Sequence, residues 1–215
     1  MSQFTSKFKV YDHSVIKKIF LVLVITSLFQ VSPSYAKVNY ESAGSGDQVV
    51  TLNSFKSPKL ITITNQGSSN FIVKAYTSKG NSLDLIVNEI GNYQGTHIVR
   101  ASKTSDLKVL EVQSDGNWAI KVSDLIDATN WNGKLVSGSF STVFEIKKPF
   151  GSLSKLKMQH QGDSNFIVIT FDKNGKRLSL KANEIANYNG TKILGSNVSF
   201  ITIETQGNWS IEKLK

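Results

Sequence analysis

The chain contains no cysteine. Disulfides, thiolate nucleophiles, Cys-ligated metals and a lipid-modified N-terminal Cys are therefore all excluded. An exported domain built from this sequence must be held by its hydrophobic core, a condition more usual in bacterial envelopes than in eukaryotic secretions. Histidine is almost as scarce: beyond the N-terminal segment only His97 and His160 occur, and they do not occupy matching positions. No nucleophile-elbow sequence accompanies them, so a Ser–His–Asp centre has no support. Long apolar runs are also missing. The one run present, Ile19 to Phe29, has eleven residues, too few to cross about 30 Å of hydrocarbon.

That run sits where a leader would. Lys7, Lys9, Lys17 and Lys18 precede it, and Ser34-Tyr35-Ala36 follows as a small-x-small cleavage site. This order predicts a signal peptide over residues 1–36, cut between Ala36 and Lys37. The expected location is secreted or periplasmic, with no membrane span after cleavage. The leader carries four Lys and one Asp, so +6 of the total charge of +9 belongs to the rest of the chain. Positive charge of this size suits anionic partners, but the Lys residues are scattered and no recognition helix or RNA-binding aromatic motif accompanies them. Nucleic acid is not the expected partner.

What the sequence does have is an internal duplication. Residues 66–96 read QGSSNFIVKAYTSKGNSLDLIVNEIGNYQGT, and residues 161–191 read QGDSNFIVITFDKNGKRLSLKANEIANYNGT; 17 of the 31 positions are identical at an offset of 95. Gly116-Asn117-Trp118-Ala119-Ile120 recurs as Gly207-Asn208-Trp209-Ser210-Ile211 at an offset of 91. A period near 90 residues is too long for a solenoid and corresponds to a domain. The expected organisation is a domain over 41–123, a linker over 124–135 and a second domain over 136–215. Leu125, Ile126 and Trp131 of the linker are candidates for packing the two together.

Within each copy the hydrophobic period is two. Phe71, Val73 and Ala75 alternate with Ile72, Lys74 and Tyr76; Leu83, Leu85 and Val87 alternate with Asp84, Ile86 and Asn88; Leu178, Leu180 and Ala182 alternate with Ser179, Lys181 and Asn183. Such alternation describes strands with one face on a core. Asn174-Gly175 reads as a hairpin turn. About seven strands per copy are expected, which predicts an all-β fold of two tandem β-sandwiches, Ig-like or jelly-roll-like.

The pattern GxSNFxV … LxLxxNEIxNYxGT … GNWxI resembles repeats of uncharacterised secreted bacterial proteins, in which similar domains stand singly or in tandem. The resemblance covers residues 44–122 and 138–214 and implies a β-sandwich in an extracellular setting. It implies no activity. Gly44–Asp47 (GSGD) fits that pattern, and Gly138–Ser141 (GSFS) departs from it.

Trp118, Trp209, Phe71 and Phe166 read as core side chains. The longest shared polar segment reads as a loop or a single helical turn. Its Asn88, Glu89, Asn92 and Tyr93, with Asn183, Glu184, Asn187 and Tyr188 in the second copy, are the candidate ligand-binding residues, since amides, carboxylates and phenols hydrogen-bond sugar hydroxyls. The competing reading is that they shape a turn. Glu89 and Glu184 would form a glycosidase pair only across an inter-domain site. Asp172-x-Asn174-Gly175 lacks the downstream Glu of a calcium loop. No cofactor or metal is expected. The sequence reads as a non-catalytic binding or interaction module for an extracellular or envelope polymer such as a glycan. The second reading is an adhesin-like or structural subunit that binds another envelope protein, and the third is a hydrolase.

Overall fold

The computed structural model describes residues 38–214. The expected leader and its cut between Ala36 and Lys37 lie outside the described residues. Among the described residues there are seventeen strands: β1 (Val38–Ser45), β2 (Gln48–Phe55), β3 (Lys59–Gln66), β4 (Asn70–Tyr76), β5 (Ser82–Ile90), β6 (Tyr93–Val99), β7 (Leu107–Gln113), β8 (Asn117–Asp124), β9 (Thr129–Asn130), β10 (Val136–Gly138), β11 (Thr142–Glu145), β12 (Lys155–Gln161), β13 (Asn165–Phe171), β14 (Arg177–Ile185), β15 (Tyr188–Ile193), β16 (Phe200–Glu204) and β17 (Asn208–Leu214). The fold is all-β. No helix among the described residues is long and apolar enough to cross a membrane.

The strands form four sheets, in the orders β1-β8-β3-β6, β2-β7-β4-β5, β10-β17-β12-β15 and β14-β13-β16-β11-β9. The first two pack as one sandwich and the last two as another, with cores centred on Phe71 and Phe166. Apart from the β4–β5 and β13–β14 hairpins, successive strands pass between the two layers, as in a jelly roll, with eight strands in the first sandwich and nine in the second rather than the expected seven. The first begins at Val38, so the expected boundary at 41 falls inside β1. Fully burying a Phe, Leu or Ile side chain contributes roughly 1.5–3 kcal/mol. Each core is therefore large enough to hold a cysteine-free domain.

The alternation misleads in β5 and β14. A register shift sets Val73 opposite Val87 but Lys74 opposite Leu85, leaving Ile86 as the extra residue. The bulge reverses the faces: Ile86 is buried and Leu85 is 54 % exposed. Bulges at the matching places in β14 leave Leu178 and Leu180 exposed, while Ala182 stays in the core.

Residues 124–135 are not a free linker. They hold a 3-10 turn, Leu125–Asp127, and β9, which pairs in parallel with β11. Trp131 is built into the second core, its Nε1 donating to the Lys134 carbonyl at 2.7 Å. Leu125 packs with a third apolar cluster, whereas Ile126 faces solvent. That cluster joins the sandwiches: Leu60 and Ile98 of the first meet Val143, Ile169, Phe171 and Phe200 of the second. Beside it the Thr96 N–H donates to the Ser141 carbonyl at 2.9 Å.

Candidate functional site

Most residues of the duplicated motif have a structural duty. The motif segment is neither a loop nor a helical turn. β5 runs to Ile90, Gly91-Asn92 make the connection, and β6 starts at Tyr93. The tight turn needs a left-handed residue, supplied by Gly91 at φ 84° and by Ala186 at φ 68°. A buried polar side chain holds the turn carbonyl from below. In the first sandwich Asn65 Nδ2 donates to the Gly91 carbonyl at 2.8 Å, and in the second His160 Nδ1 donates to the Ala186 carbonyl at 2.8 Å. A carbonyl only accepts, so the His160 proton is on Nδ1 and Nε2 is an acceptor. Thr205 Oγ1 donates to it at 2.8 Å, as Ser114 Oγ donates to Asn65 Oδ1 at 2.7 Å. Each of these hydroxyls also receives the glycine N–H of the Gly-Asn-Trp turn at 3.0 Å. One latch thus ties three motif segments together in each sandwich, with different chemistry at the same place.

Tyr93 packs on Phe71 and Tyr188 on Phe166, both with ring centroids 5.7 Å apart. The phenol lies over the glycine two residues on: a Cβ at Gly95 or Gly190 would sit 2.2 or 2.1 Å from the tyrosine oxygen. That close approach accounts for the Tyr-x-Gly spacing. Trp118 and Trp209 are core residues whose indole N–H groups donate to the Gly46 and Phe140 carbonyls, each at 3.0 Å. Asp47 accepts the Ser114 N–H at 2.9 Å, and Ser141 takes over that bond in the second sandwich, accepting the Thr205 N–H at 3.0 Å.

The eight candidate residues fall into different settings. Tyr93 is buried, Tyr188 and Glu89 are half-buried, and Asn88, Asn92, Asn183, Glu184 and Asn187 are exposed. Glu89 and Asn88 line a cavity of about 190 Å³ between the sandwiches, together with Tyr93, His97, Ser141 and Glu204. Burial raises the carboxyl pKa of Glu89. Burial also raises Glu204, with the nearby Asp84 carboxylate adding to the effect and Arg177 opposing it. Tyr93 Oη and His97 Nε2 share a hydrogen bond, and burial pushes the His97 pKa down to about 4. Ser141 Oγ is engaged by Thr205 on both sides, donating to its carbonyl and accepting its N–H. The pieces of a hydrolytic centre are near each other here, but the hydroxyl is not poised against a base. Glu184 does not line this cavity. Asp172 Oδ1 accepts the N–H groups of Asn174 and Lys176 at 2.8 and 2.9 Å, which is a hairpin turn.

Asn92 and Asn187 of the candidate set have shared polar neighbours that the sequence reading passed over: Gln66 and Asn117 in the first sandwich, and Gln161 and Asn208 in the second. Gln66 lies opposite Asn117 in β8, and Gln161 lies opposite Asn208 in β17. Asn92 and Asn187 sit just before Tyr93 and Tyr188, which pair with Asn65 and His160 respectively. Each sandwich therefore presents an outward amide triad at one end of its outer sheet: Asn92, Gln66 and Asn117, and Asn187, Gln161 and Asn208. All six are exposed. Among the described residues five of them make no side-chain hydrogen bond, and Asn187 only accepts the Gly162 N–H at 3.1 Å. In the second sandwich the triad is flanked by shallow cavities of about 630 and 200 Å³, which also take in Gln159, Asn189 and Ser210. The available signal was identity between copies at exposed positions in separate segments.

No protein-family model matches the chain, and no curated protein matches it. Among solved structures, the PBSX exported protein XepA is similar over 84 % of this chain and 85 % of its own, at 11 % identity and a TM-score of 0.29. A cupin 2 conserved barrel domain protein from Leptotrichia buccalis is similar over 81 % of this chain and 82 % of its own, at 12 % identity and a TM-score of 0.26. Likenesses at this level carry no argument about the site.

Proposed function

We propose that this is an exported, non-catalytic module that binds a hydroxyl-rich extracellular or envelope polymer, a glycan, through the two amide triads. The two sandwiches are read as copies of one duplicated domain. The carrying observation is that Asn92–Gln66–Asn117 and Asn187–Gln161–Asn208 are kept in both copies, face solvent, and serve almost no internal bond. Amides donate and accept at once, which suits neighbouring sugar hydroxyls. Hydrogen bonds of this kind contribute about 0.5–1.5 kcal/mol each. Three of them give a site of roughly millimolar affinity or weaker. Two sites on one chain then matter, because engagement of the second is intramolecular and raises avidity by roughly 10²–10⁴-fold.

The test is Gln66→Ala, Gln161→Ala and the double variant, assayed by retention on a panel of insoluble and immobilised polysaccharides. Melting temperatures should stay near that of the unaltered protein, since exposed substitutions fall within about 0.5 kcal/mol. Retention should fall with each single change and be lost with both. Unchanged retention of the double variant, or failure of the unaltered protein to bind any polysaccharide, overturns the reading.

A further inference from the structure

The contact between the sandwiches is heterologous. The first contributes Leu60 and Ile98, a register pair on β3 and β6. The second contributes an outward sheet face: Val143 of β11, Ile169 and Phe171 of β13, and Phe200 of β16. Thr202, opposite Ile169, is buried with them. A single heterologous contact between two like units uses a different surface on each. It leaves one free copy of each mating surface at the two ends, and arrays of repeats grow from such ends unless they are capped by polar faces.

Register identifies both free surfaces. Where the first sandwich has Leu60–Ile98, the second has Lys155–Ile193. Where the second has Ile169–Thr202, the first has Lys74–Glu111, joined by an ion pair at 3.4 Å, with Tyr76 Oη donating to Glu111 at 3.1 Å. Tyr76–Val109 replaces Phe171–Phe200. The apolar remainder is still visible. Val49 is 70 % exposed where Val143 is 2 %, and Ile193 is 55 % exposed where Ile98 is 7 %. The positions at the centre of the internal contact thus carry charge at both ends. Repeating the contact between chains would bring Lys155 into the same cluster as Lys74 and strip water from all three charges, and an ion stripped of water is stabilised only by a well-matched partner.

We propose that Lys74, Glu111 and Lys155 block head-to-tail docking of a second copy of this chain, confining the packing to the one pair within it. The β12–β15 edge, at Lys155 and Ile193, and the outer face of β2-β7-β4-β5 are, in this view, mating surfaces kept closed by charge. This does not depend on what polymer the triads bind.

Because the two surfaces are different, they can be opened separately. Lys74→Ile with Glu111→Thr opens the face, and Lys155→Leu opens the edge. Circular dichroism melts check that each variant is folded, and Lys155→Met replaces Lys155→Leu should the latter not fold. By size-exclusion chromatography with light scattering, the unaltered protein and each variant alone should be monomeric. An equimolar mixture of the two variants should show a species of doubled molar mass. A chain carrying all three changes should form longer, concentration-dependent species. A mixture that stays monomeric overturns the proposal. So does self-association of either variant alone, which would mark general stickiness, or head-to-tail oligomers of the unaltered protein.

Discussion

His97 should make this protein lose stability as the pH falls below neutrality. Its ring points inward from β6, opposite Ile61, and stacks at 6.2 Å from Tyr93, with whose hydroxyl it shares a hydrogen bond. Burial favours the neutral form and lowers its pKa from 6.5 to about 4. The unfolded chain therefore takes up a proton on this residue at a pH where the folded chain does not. Stability is fully present above about 6.5 and is lost as pH falls towards about 4. The loss reaches about 3 kcal/mol at pH 4. That is a large part of the 5–15 kcal/mol typical of a folded domain. Three carboxyls act in the opposite sense. Asp84, Glu89 and Glu204 have raised pKa values, each chiefly from burial, so their folded forms take up protons first and gain stability in acid. The difference between the unaltered protein and His97→Gln isolates the histidine, since the Gln amide can donate to or accept from Tyr93 but does not titrate. Urea unfolding of both proteins at intervals between pH 7.5 and 4 is the assay. The variant should start less stable, and the gap should narrow by about 3 kcal/mol across the window. Parallel curves would refute the reasoning and place the His97 ring in contact with water.

Two further outcomes are expected. Trp209→Ala removes a core indole that packs edge-on to Phe144 at 5.9 Å and holds the Phe140 carbonyl; it should cost about 3–5 kcal/mol, and a fully stable variant by thermal melt would contradict the core assignment. N-terminal sequencing of the exported protein should begin at or near Lys37, whereas an intact Met1 on a membrane-bound species would contradict the leader.

The sequence by itself determined the local features. Period-two alternation located most strands, the Asn-Gly pair located a hairpin, and the two offsets of 95 and 91 aligned the recurring segments residue by residue. It also assigned Trp118 and Trp209 to the core, because each shares an alternating face with an isoleucine. Alternation is blind to an inserted residue, so the bulges that expose Leu85, Leu178 and Leu180 could be seen only in the pairing register. Strand order was equally hidden, because ladders join segments far apart in the chain and no local pattern records the partner. The site depended on the same non-local facts. Glu89 and Tyr93 looked like binding residues because they recur, yet the fold half-buries one and buries the other beside the second sandwich. Gln66, Asn92 and Asn117 lie in three separate segments, and only the register of β3, β6 and β8 makes them neighbours. Asn65 and His160 share no chemistry that a sequence comparison would match. Tertiary structure gives them one task, because a buried carbonyl at a left-handed turn needs a donor and either side chain supplies it.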